Sequence, residues 1–279
     1  MLKTRIVTAV VLLTAFLLAL FCFSPFGWLA FVTLIAAFAA WEWGALMALS
    51  GPLRLLLGAV TMGICVALSA SNPAAFGLGN GFSETAWRLG RWFYFPAALF
   101  WLLVIPLWIR RRWTLPKSIL GLLVGLVVIL PTWLALVQLK QAGGEFALVL
   151  IMATVWLADI SAYAFGRSLG RHKLAPGISP GKTWEGAIGG STAVIVYGFI
   201  LSSRLPRVLA EHELLLFSML LLLSVISVIG DLFESLLKRQ VGLKDSSNIL
   251  PGHGGILDRI DSLTSTLPLV ALVWLGTVY

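Results

Sequence analysis

The chain has 279 residues, of which 59% are hydrophobic and 11% are charged, and its mean hydropathy is +0.97. These values exclude an ordinary water-soluble domain, because long apolar runs recur from one end of the chain to the other. The net charge of +8 favours contact with anionic lipids, and no feature of the chain indicates nucleic acid binding.

Runs of about 20 apolar residues predict membrane-spanning helices. We therefore expect an all-α, polytopic integral membrane bundle of about nine transmembrane helices. The nine runs cover residues 5–23, 26–49, 53–70, 93–109, 118–139, 146–168, 187–203, 214–237 and 256–277. The first run lacks a small-residue cleavage site, so we interpret it as a retained helix and not as a signal peptide.

The Lys and Arg residues are distributed unevenly between alternate loops. With the N-terminus inside the cell, the inner segments carry 15 of the 20 Lys and Arg residues and the outer segments carry 5. Because positive residues concentrate on the cytoplasmic side of membrane proteins, we expect an N-in, C-out topology.

Polar residues inside the apolar runs are concentrated in the second half of the chain. We divide the chain into an N-terminal transmembrane region, residues 1–140, and a C-terminal transmembrane region, residues 141–279, whose polar groups face the cytoplasm. Glu42 is the exception in the first half. Its position near the end of a span fits either a functional group or a contact with nearby basic residues, and we leave it outside the predicted site.

Asp159 lies well inside the sixth apolar run. An ionised carboxylate at membrane depth costs roughly 2.5 to 3.5 kcal/mol on insertion scales, so a partner is expected. A lysine such as Lys182 or Lys238, an arginine, a metal ion and a water-filled cleft all remain open as that partner.

The segment GISPGKT, residues 177–183, differs from a P-loop because only three residues separate its two glycines. Ser179, Lys182 and Thr183 still supply two hydroxyls and an ammonium where the seventh helix is expected to begin. The N-terminus of a helix favours an anion. We therefore predict that these three residues bind phosphate.

The densest group of charged residues lies between residues 231 and 261. Its basic residues are followed by a glycine-rich turn and then by Asp258 and Asp261, which share a helix face because they are three residues apart. Carboxylates of this kind bind a divalent cation, and Lys, Arg and backbone N–H groups bind phosphates. The alternative is a solvated loop that anchors the membrane boundary, but such a loop needs neither the H-G-G turn nor two aspartates in an apolar helix.

The same stretch resembles the signature of phosphatidate cytidylyltransferases, the CDP-diacylglycerol synthases. The shared pattern is S-x-L-K-R-x4-K-D-x-S-x2-L-P-x-H-G-G-I-x-D-R-I-D, from Ser235 to Asp261, and the resemblance extends to Ser179–Gly186 and Ala40–Gly44. It implies transfer of CMP from CTP to phosphatidate, which gives CDP-diacylglycerol and pyrophosphate. It also implies Mg²⁺ as cofactor, a homodimer, and a bacterial inner (cytoplasmic) membrane location. Whether a monovalent cation such as K⁺ joins the Mg²⁺ stays open.

The resemblance and the residue chemistry together assign roles to the polar residues. The predicted catalytic residues are Asp231, Lys238, Arg239, His253 and Asp258. The predicted substrate-binding residues are Ser179, Lys182, Thr183, Lys244, Asp245 and Arg259. The predicted metal ligands are Asp231, Asp258 and Asp261. His253 fits two interpretations equally well, as a group that orients a phosphate or as a brace for the turn. Glu185, Asp245 and Glu234 are candidates for supporting the cationic side chains.

Two other functions are compatible with parts of the pattern. A CTP-dependent lipid kinase, such as a polyprenol kinase, would use similar metal and nucleotide chemistry, although the complete D-R-x-D sequence disfavours it. A transporter could use intramembrane aspartates to bind an ion. Transporters commonly contain two similar halves, whereas the charge here is gathered at one face of one half.

Overall fold

The computed structural model describes residues 2–278, apart from the side chains of residues 2–5 and 207. Lys3, Arg5 and Arg207, which contribute to the charge asymmetry, therefore have side chains outside the described part. The helices are α1 (Leu2–Cys22), α2 (Pro25–Leu46), α3 (Gly51–Ser71), α4 (Phe82–Leu99), α5 (Ile105–Arg111), α6 (Ile119–Leu169), α7 (Trp184–Ile200), α8 (Arg207–Ala210), α9 (Glu213–Gln240) and α10 (Leu257–Val278). A short antiparallel hairpin, β1 (Lys173–Ala175) and β2 (Ser179–Thr183), precedes α7.

Six helical segments in the described part are long and apolar enough to cross a membrane. They are Pro25–Leu46, Gly51–Ser71, Phe82–Arg111, Ile119–Leu169, Glu213–Gln240 and Leu257–Val278. The helical, membrane-type architecture is confirmed, whereas the count of nine spans is not. Part of the difference lies in α6, a 51-residue element that joins two predicted spans. Gly144 breaks its helical geometry with φ +81° and ψ 175°, a conformation that glycine adopts without a Cβ clash.

Three buried tryptophans join α2 to α6. The indole N–H of Trp28 donates to the Leu136 carbonyl at 3.2 Å, that of Trp43 donates to the Gly121 carbonyl at 3.0 Å, and that of Trp133 donates to Thr33 Oγ1 at 3.0 Å. Polar groups in an apolar interior require such partners. The polar N–H groups of these three tryptophans are therefore hydrogen-bonded, and α2 and α6 pack tightly against each other. The second half of the chain packs on these two helices as its base.

Phe233 fixes α9 against this base. Its ring lies 6.4 Å from the ring of Trp43 and 5.7 Å from the rings of both Trp101 and Trp108, measured between centroids. Because Phe233 follows Asp231 by two residues, its packing sets the rotation of α9 and turns Asp231 toward the opposite side. The helix also packs against α7 and α10.

Candidate active site

A polar cavity of about 520 Å³ lies between α6, β2, α7, α9 and α10. Charged side chains dominate its wall, with five aspartates and four basic residues. They are Asp159, Arg167, Lys182, Asp231, Lys238, Asp245, Asp258, Arg259 and Asp261. Ser179 and Thr183 line the same cavity. Apart from Asp159 and Arg167, all of these residues were predicted from the sequence as site residues. With Ser179 and Thr183, the cavity therefore brings together nine predicted residues, all from residues 141–279.

The remaining predicted residues lie beside this cavity. Lys244 and His253 line a second cavity of about 480 Å³, here called the loop cavity, which shares Asp245 and Arg259 with the polar cavity. Arg239 lines neither cavity. Its Nη1 donates to the Leu243 carbonyl at 3.3 Å and so closes the end of α9, and its catalytic role stays a prediction.

The hairpin positions Lys182 over the polar cavity. Lys173 pairs with Thr183 across the two strands, and Thr183 Oγ1 then accepts the Gly186 N–H at 3.1 Å as the N-cap of α7. This places the Lys182 ammonium 2.6 Å from Asp231 Oδ2. The sequence suggested Lys182 as a partner for Asp159, whereas its ion pair in the structure is with Asp231, and Asp159 lines the same cavity.

One face of α9 carries a connected set of polar groups. Ser235 Oγ donates to Asp231 Oδ1 at 3.2 Å, one helical turn away. Lys238, on the next turn, lies 2.5 Å from Asp258 Oδ1 and 3.4 Å from Glu234 Oε1. Both oxygens of Glu234 are buried without a hydrogen-bond partner in the described part, so the Lys238 ammonium is the compensating charge that the structure provides. The prediction that Glu234 supports this cation agrees with the ion pair.

Asp258 joins α10 to the signature loop, defined here as residues 241–256. Its Oδ2 accepts the Ser246 N–H at 2.8 Å, the Ser246 hydroxyl at 2.9 Å and the Gly255 N–H at 2.8 Å. Gly254 adopts φ +79°, and a Cβ at this position would approach Asp258 to 2.6 Å. The carboxylate is therefore already saturated with donors. Its predicted role as a metal ligand stays a prediction and requires the exchange of at least one of these partners.

The imidazole of His253 is not the group that closes the turn of the signature loop. The turn is closed by backbone bonds, from the His253 N–H to the Leu250 carbonyl at 2.8 Å and from the Leu250 N–H to the Gly254 carbonyl at 2.9 Å. The buried Nδ1 of His253 has no partner among the described residues. This leaves the imidazole available to a ligand in the loop cavity.

Two residues at the site were left out of the sequence interpretation, Arg167 in the wall of the polar cavity and Glu42 behind the signature loop. Glu42 is completely buried, and its carboxylate accepts four hydrogen bonds from the signature loop and the start of α10. The donors are Ser247 Oγ at 2.6 Å, the Ile256 N–H at 2.9 Å, the Leu257 N–H at 2.6 Å and Ser246 Oγ at 3.1 Å, whose single proton is shared between Glu42 and Asp258. Glu42 was marked by two signals in the sequence, an ionisable group within an apolar helix and its place in the Ala40–Gly44 stretch of the family resemblance. Its partners are more than 200 residues away along the chain.

Gly255 shows how closely Glu42 and the loop approach each other. A Cβ at this position would overlap the Glu42 carboxylate and Ser246 Oγ. The second glycine of the H-G-G sequence is therefore required by the packing of Glu42 against the loop. Glu42 belongs to the N-terminal region, residues 1–140, and the signature loop belongs to the C-terminal region, residues 141–279. The two regions therefore meet at this contact.

Glu185 lies on the exposed hairpin side of the site and not in the wall of the polar cavity. Its Oε1 lies 2.7 Å from His172 Nδ1, and both carboxylate oxygens accept the His172 N–H at 3.2 Å. Hydrogen bonds from its own backbone N–H and from the His172 ring lower the pKa of Glu185 to about 2. The side chain therefore pins the hairpin to α7. The prediction that Glu185 supports the cationic side chains of the cavity is therefore wrong.

The chemistry of the cavity wall fits a divalent cation. Asp159, Asp231 and Asp261 come from three helices and are close enough to repel one another, while Lys182 and Arg259 partly offset the charge at Asp159. Carboxylate oxygens are the hard ligands that Mg²⁺ prefers. Within the described part of the chain, no three acidic, His or Cys side chains already surround one metal position. A cation would require rearrangement of ion pairs such as Lys182 with Asp231.

Comparison with known proteins places the whole chain in one group. A family model described as "Cytidylyltransferase family" matches residues 3–275. The phosphatidate cytidylyltransferase of Haemophilus influenzae is 36% identical over 96% of each chain, and that of Pseudomonas aeruginosa is 38% identical over 98% of this chain and 97% of its own. The phosphatidate cytidylyltransferase of Brucella abortus is 47% identical over half of each chain. The chain belongs to the cytidylyltransferase family.

Proposed function

We propose that this protein is a phosphatidate cytidylyltransferase, a membrane enzyme of phospholipid biosynthesis. It transfers CMP from CTP to phosphatidate and releases CDP-diacylglycerol and pyrophosphate. The observation that carries this proposal is the polar cavity, where basic side chains and carboxylates meet between apolar helices. Such a site can receive a nucleotide and the phosphate of a membrane lipid together. The two nearly full-length relatives support the same reaction by their names.

In this reaction, a phosphate oxygen of phosphatidate attacks the α-phosphorus of CTP. A new oxygen–phosphorus bond forms, and the bond to the β-phosphate oxygen breaks as pyrophosphate leaves. The nucleophile is already anionic at neutral pH, so a strong general base is unnecessary. The main obstacle is electrostatic repulsion between two polyanions, which fixed cations reduce at the transition state.

The residues of the cavity divide this task. Lys182 and Arg259 line the polar cavity with hydroxyls of the β2 strand nearby, and they bind phosphate oxygens. Lys238, held between Glu234 and Asp258, maintains a buried positive charge at the wall. Lys244, His253 and Arg259 surround the loop cavity, which provides space for the polyphosphate or the base of CTP.

Mg²⁺ is the proposed cofactor. Asp231 and Asp261, with Asp258 beside them, would hold it, and Asp159 contributes further negative charge at the same cavity. When bound, Mg²⁺ neutralises phosphate charge and assists departure of pyrophosphate. The excess of carboxylates over basic residues in the cavity wall supports this assignment.

We also propose that the site faces the cytoplasm of a bacterial inner membrane and that the enzyme is a homodimer. The unequal loop charges support the N-in, C-out orientation. The dimer rests on the family resemblance. Accessibility of single cysteines, placed in the signature loop and in the loop of residues 72–81, to an impermeant thiol reagent tests the orientation in intact cells.

The decisive experiment is turnover by the purified protein with CTP, phosphatidate and Mg²⁺. Label at the α-phosphate of CTP is expected in the lipid product, with pyrophosphate released in equal amount. Transfer of label from the γ-phosphate to a polyprenol would instead establish the lipid kinase function. Absence of both transfers, with uptake of an ion or lipid into vesicles, would establish a carrier.

A further inference from the structure

A third cavity, almost entirely apolar, adjoins the polar cavity. It has a volume of about 260 Å³ and lies between α4, α6, α9 and α10, with walls that include Val155, Leu216, Leu220 and Val270. The two cavities share Ala158 and Ser224 as wall residues. The two cavities therefore meet at these residues.

The hydroxyl groups of the apolar cavity are satisfied with one exception. Thr154, Ser224 and Thr266 donate to backbone carbonyls of their own helices at 3.0, 2.8 and 2.8 Å. Ser227 is one of the residues that line the cavity, and its hydroxyl is buried and has no hydrogen-bond partner in the described part of the chain. A buried hydroxyl without a partner favours a ligand that brings a hydrogen-bond acceptor.

The positions along α9 form a graded series. Ser227 precedes Asp231 by four residues, so it lies on the same helix face about 6 Å farther from the signature loop. Leu220 lies about 10 Å beyond Ser227. The order along the helix is therefore a charged group, an unpaired hydroxyl and an apolar chamber. A glycerolipid phosphate presents the same order, from phosphate to ester carbonyl to hydrocarbon chain.

We propose that the apolar cavity binds one acyl chain of phosphatidate, with an ester carbonyl of that lipid accepting the Ser227 hydroxyl. This inference rests on the proposed function, because the phosphate of the same lipid occupies the polar cavity. The walls favour hydrocarbon over water, since nearly all of their polar atoms are already bonded within the helices. Chain binding at this place holds the reacting phosphate at a fixed depth beside Asp231 and Lys182.

Filling the cavity tests the chain site. Leu220 lines the cavity, whereas its neighbour Leu221 is exposed on α9 and is absent from the wall. In Leu220→Trp, we expect kcat/KM for dioleoyl phosphatidate to fall about tenfold, equivalent to the loss of roughly two buried methylene groups. Turnover of dihexanoyl phosphatidate and KM for CTP are expected to stay unchanged. Leu221→Trp is the matched control and should behave as wild type with both lipids.

The ester contact is tested by comparing ester and ether lipids. In Ser227→Ala, kcat/KM for dioleoyl phosphatidate is expected to fall about fivefold relative to a dialkyl ether phosphatidate, as for the loss of one neutral hydrogen bond. The ether lipid has no carbonyl and should be insensitive to the substitution. Equal losses with both lipids would overturn the Ser227 contact.

A photoreactive lipid provides a test that needs neither a stable variant nor turnover. Phosphatidate with a diazirine at the end of one acyl chain is crosslinked to the wild-type protein, and the labelled residues are mapped by mass spectrometry. Label on Leu216, Leu220 or Val270 supports the inference, and label confined to outward-facing residues such as Leu221 overturns it.

Equal effects of Leu220→Trp and Leu221→Trp on kcat/KM for dioleoyl phosphatidate would also overturn the inference. Failure of wild type to use both dioleoyl and dihexanoyl phosphatidate with CTP would refute the proposed function, while the crosslinking would still decide whether a chain enters the cavity.

Discussion

The Glu42→Gln substitution removes one charge from the signature loop with little change of shape. In the structure, Oε1 of Glu42 accepts the Ile256 N–H and Oε2 accepts the Leu257 N–H. Oε1 also accepts the Ser247 hydroxyl, and Oε2 shares the proton of the Ser246 hydroxyl with Asp258. A glutamine has one oxygen and one NH₂ group. The serine hydroxyls can rotate to accept from the NH₂ group, but a backbone N–H cannot. One of the two backbone groups therefore loses its acceptor.

The expected loss follows from that unpaired group. A buried donor without an acceptor costs about 1 to 3 kcal/mol. If this energy is lost from the catalytic arrangement of the loop, turnover falls roughly 5- to 150-fold, because about 1.4 kcal/mol corresponds to a factor of ten. The contact with CTP or lipid is not removed directly, since Glu42 lines neither the polar cavity nor the loop cavity.

The assay is pyrophosphate release with CTP and phosphatidate, combined with thermal unfolding of the same sample. Glu145→Gln is the matched control, because Glu145 lies 3.7 Å from Lys140 and its side chain is 42% exposed. The Lys140 side chain is buried, so thermal stability can fall in this variant, but Glu145 lines neither the polar cavity nor the loop cavity and near-normal turnover is expected. Wild-type turnover of Glu42→Gln, or an equal loss in Glu145→Gln, would refute the positioning role of Glu42.

Three further substitutions test separate parts of the site. Asp258→Asn should abolish turnover while the protein remains folded and inserted, as judged by gel filtration, and retention of most activity would remove Asp258 from the reaction. Lys182→Ala should raise KM for CTP at least about tenfold, because phosphate loses an ammonium and Asp231 loses its partner; unchanged kinetics with CTP would exclude Lys182 from the nucleotide site. The pKa of Glu185 is lowered from 4.5 to about 2, so its stabilisation of the hairpin is present above about pH 4.5 and is lost as the pH falls toward 2. Hydrogen exchange of the His172 N–H should show this loss in wild type and not in Glu185→Gln, and identical pH profiles would contradict the assignment.

The sequence predicted the helical membrane architecture correctly, but it did not predict the number of membrane spans. Long apolar runs require helices in a membrane, because each backbone polar group must be satisfied within its own segment. Where one helix ends and another begins depends on local geometry, such as the φ of +81° at Gly144 within α6. Hydropathy does not report that angle, so two of the nine runs fall within the single segment α6. The runs 5–23 and 187–203 correspond to α1 and α7, which are not among the six described segments that meet the criteria for a span.

The polar face of α9 was determined by the sequence itself. Asp231, Ser235 and Lys238 share one side of the helix because of their spacing, and the Ser235 to Asp231 bond follows from the same periodicity. The identity of the signature was also local, since all its residues fall within one continuous stretch. Spacing within a single element is enough to fix which side chains can act together on that element.

Only the tertiary structure decided which of these groups meet groups from other elements. Lys182 pairs with Asp231 because the hairpin folds over α9, and Asp258 is saturated because the signature loop turns back onto it. Glu42 reaches the same loop from the other end of the chain through the packing of α2. Contacts of this kind depend on how helices rotate and pack, and no periodicity along the chain records them. The sequence therefore determined the chemistry that is present, and the packing determined which residues hold it in place.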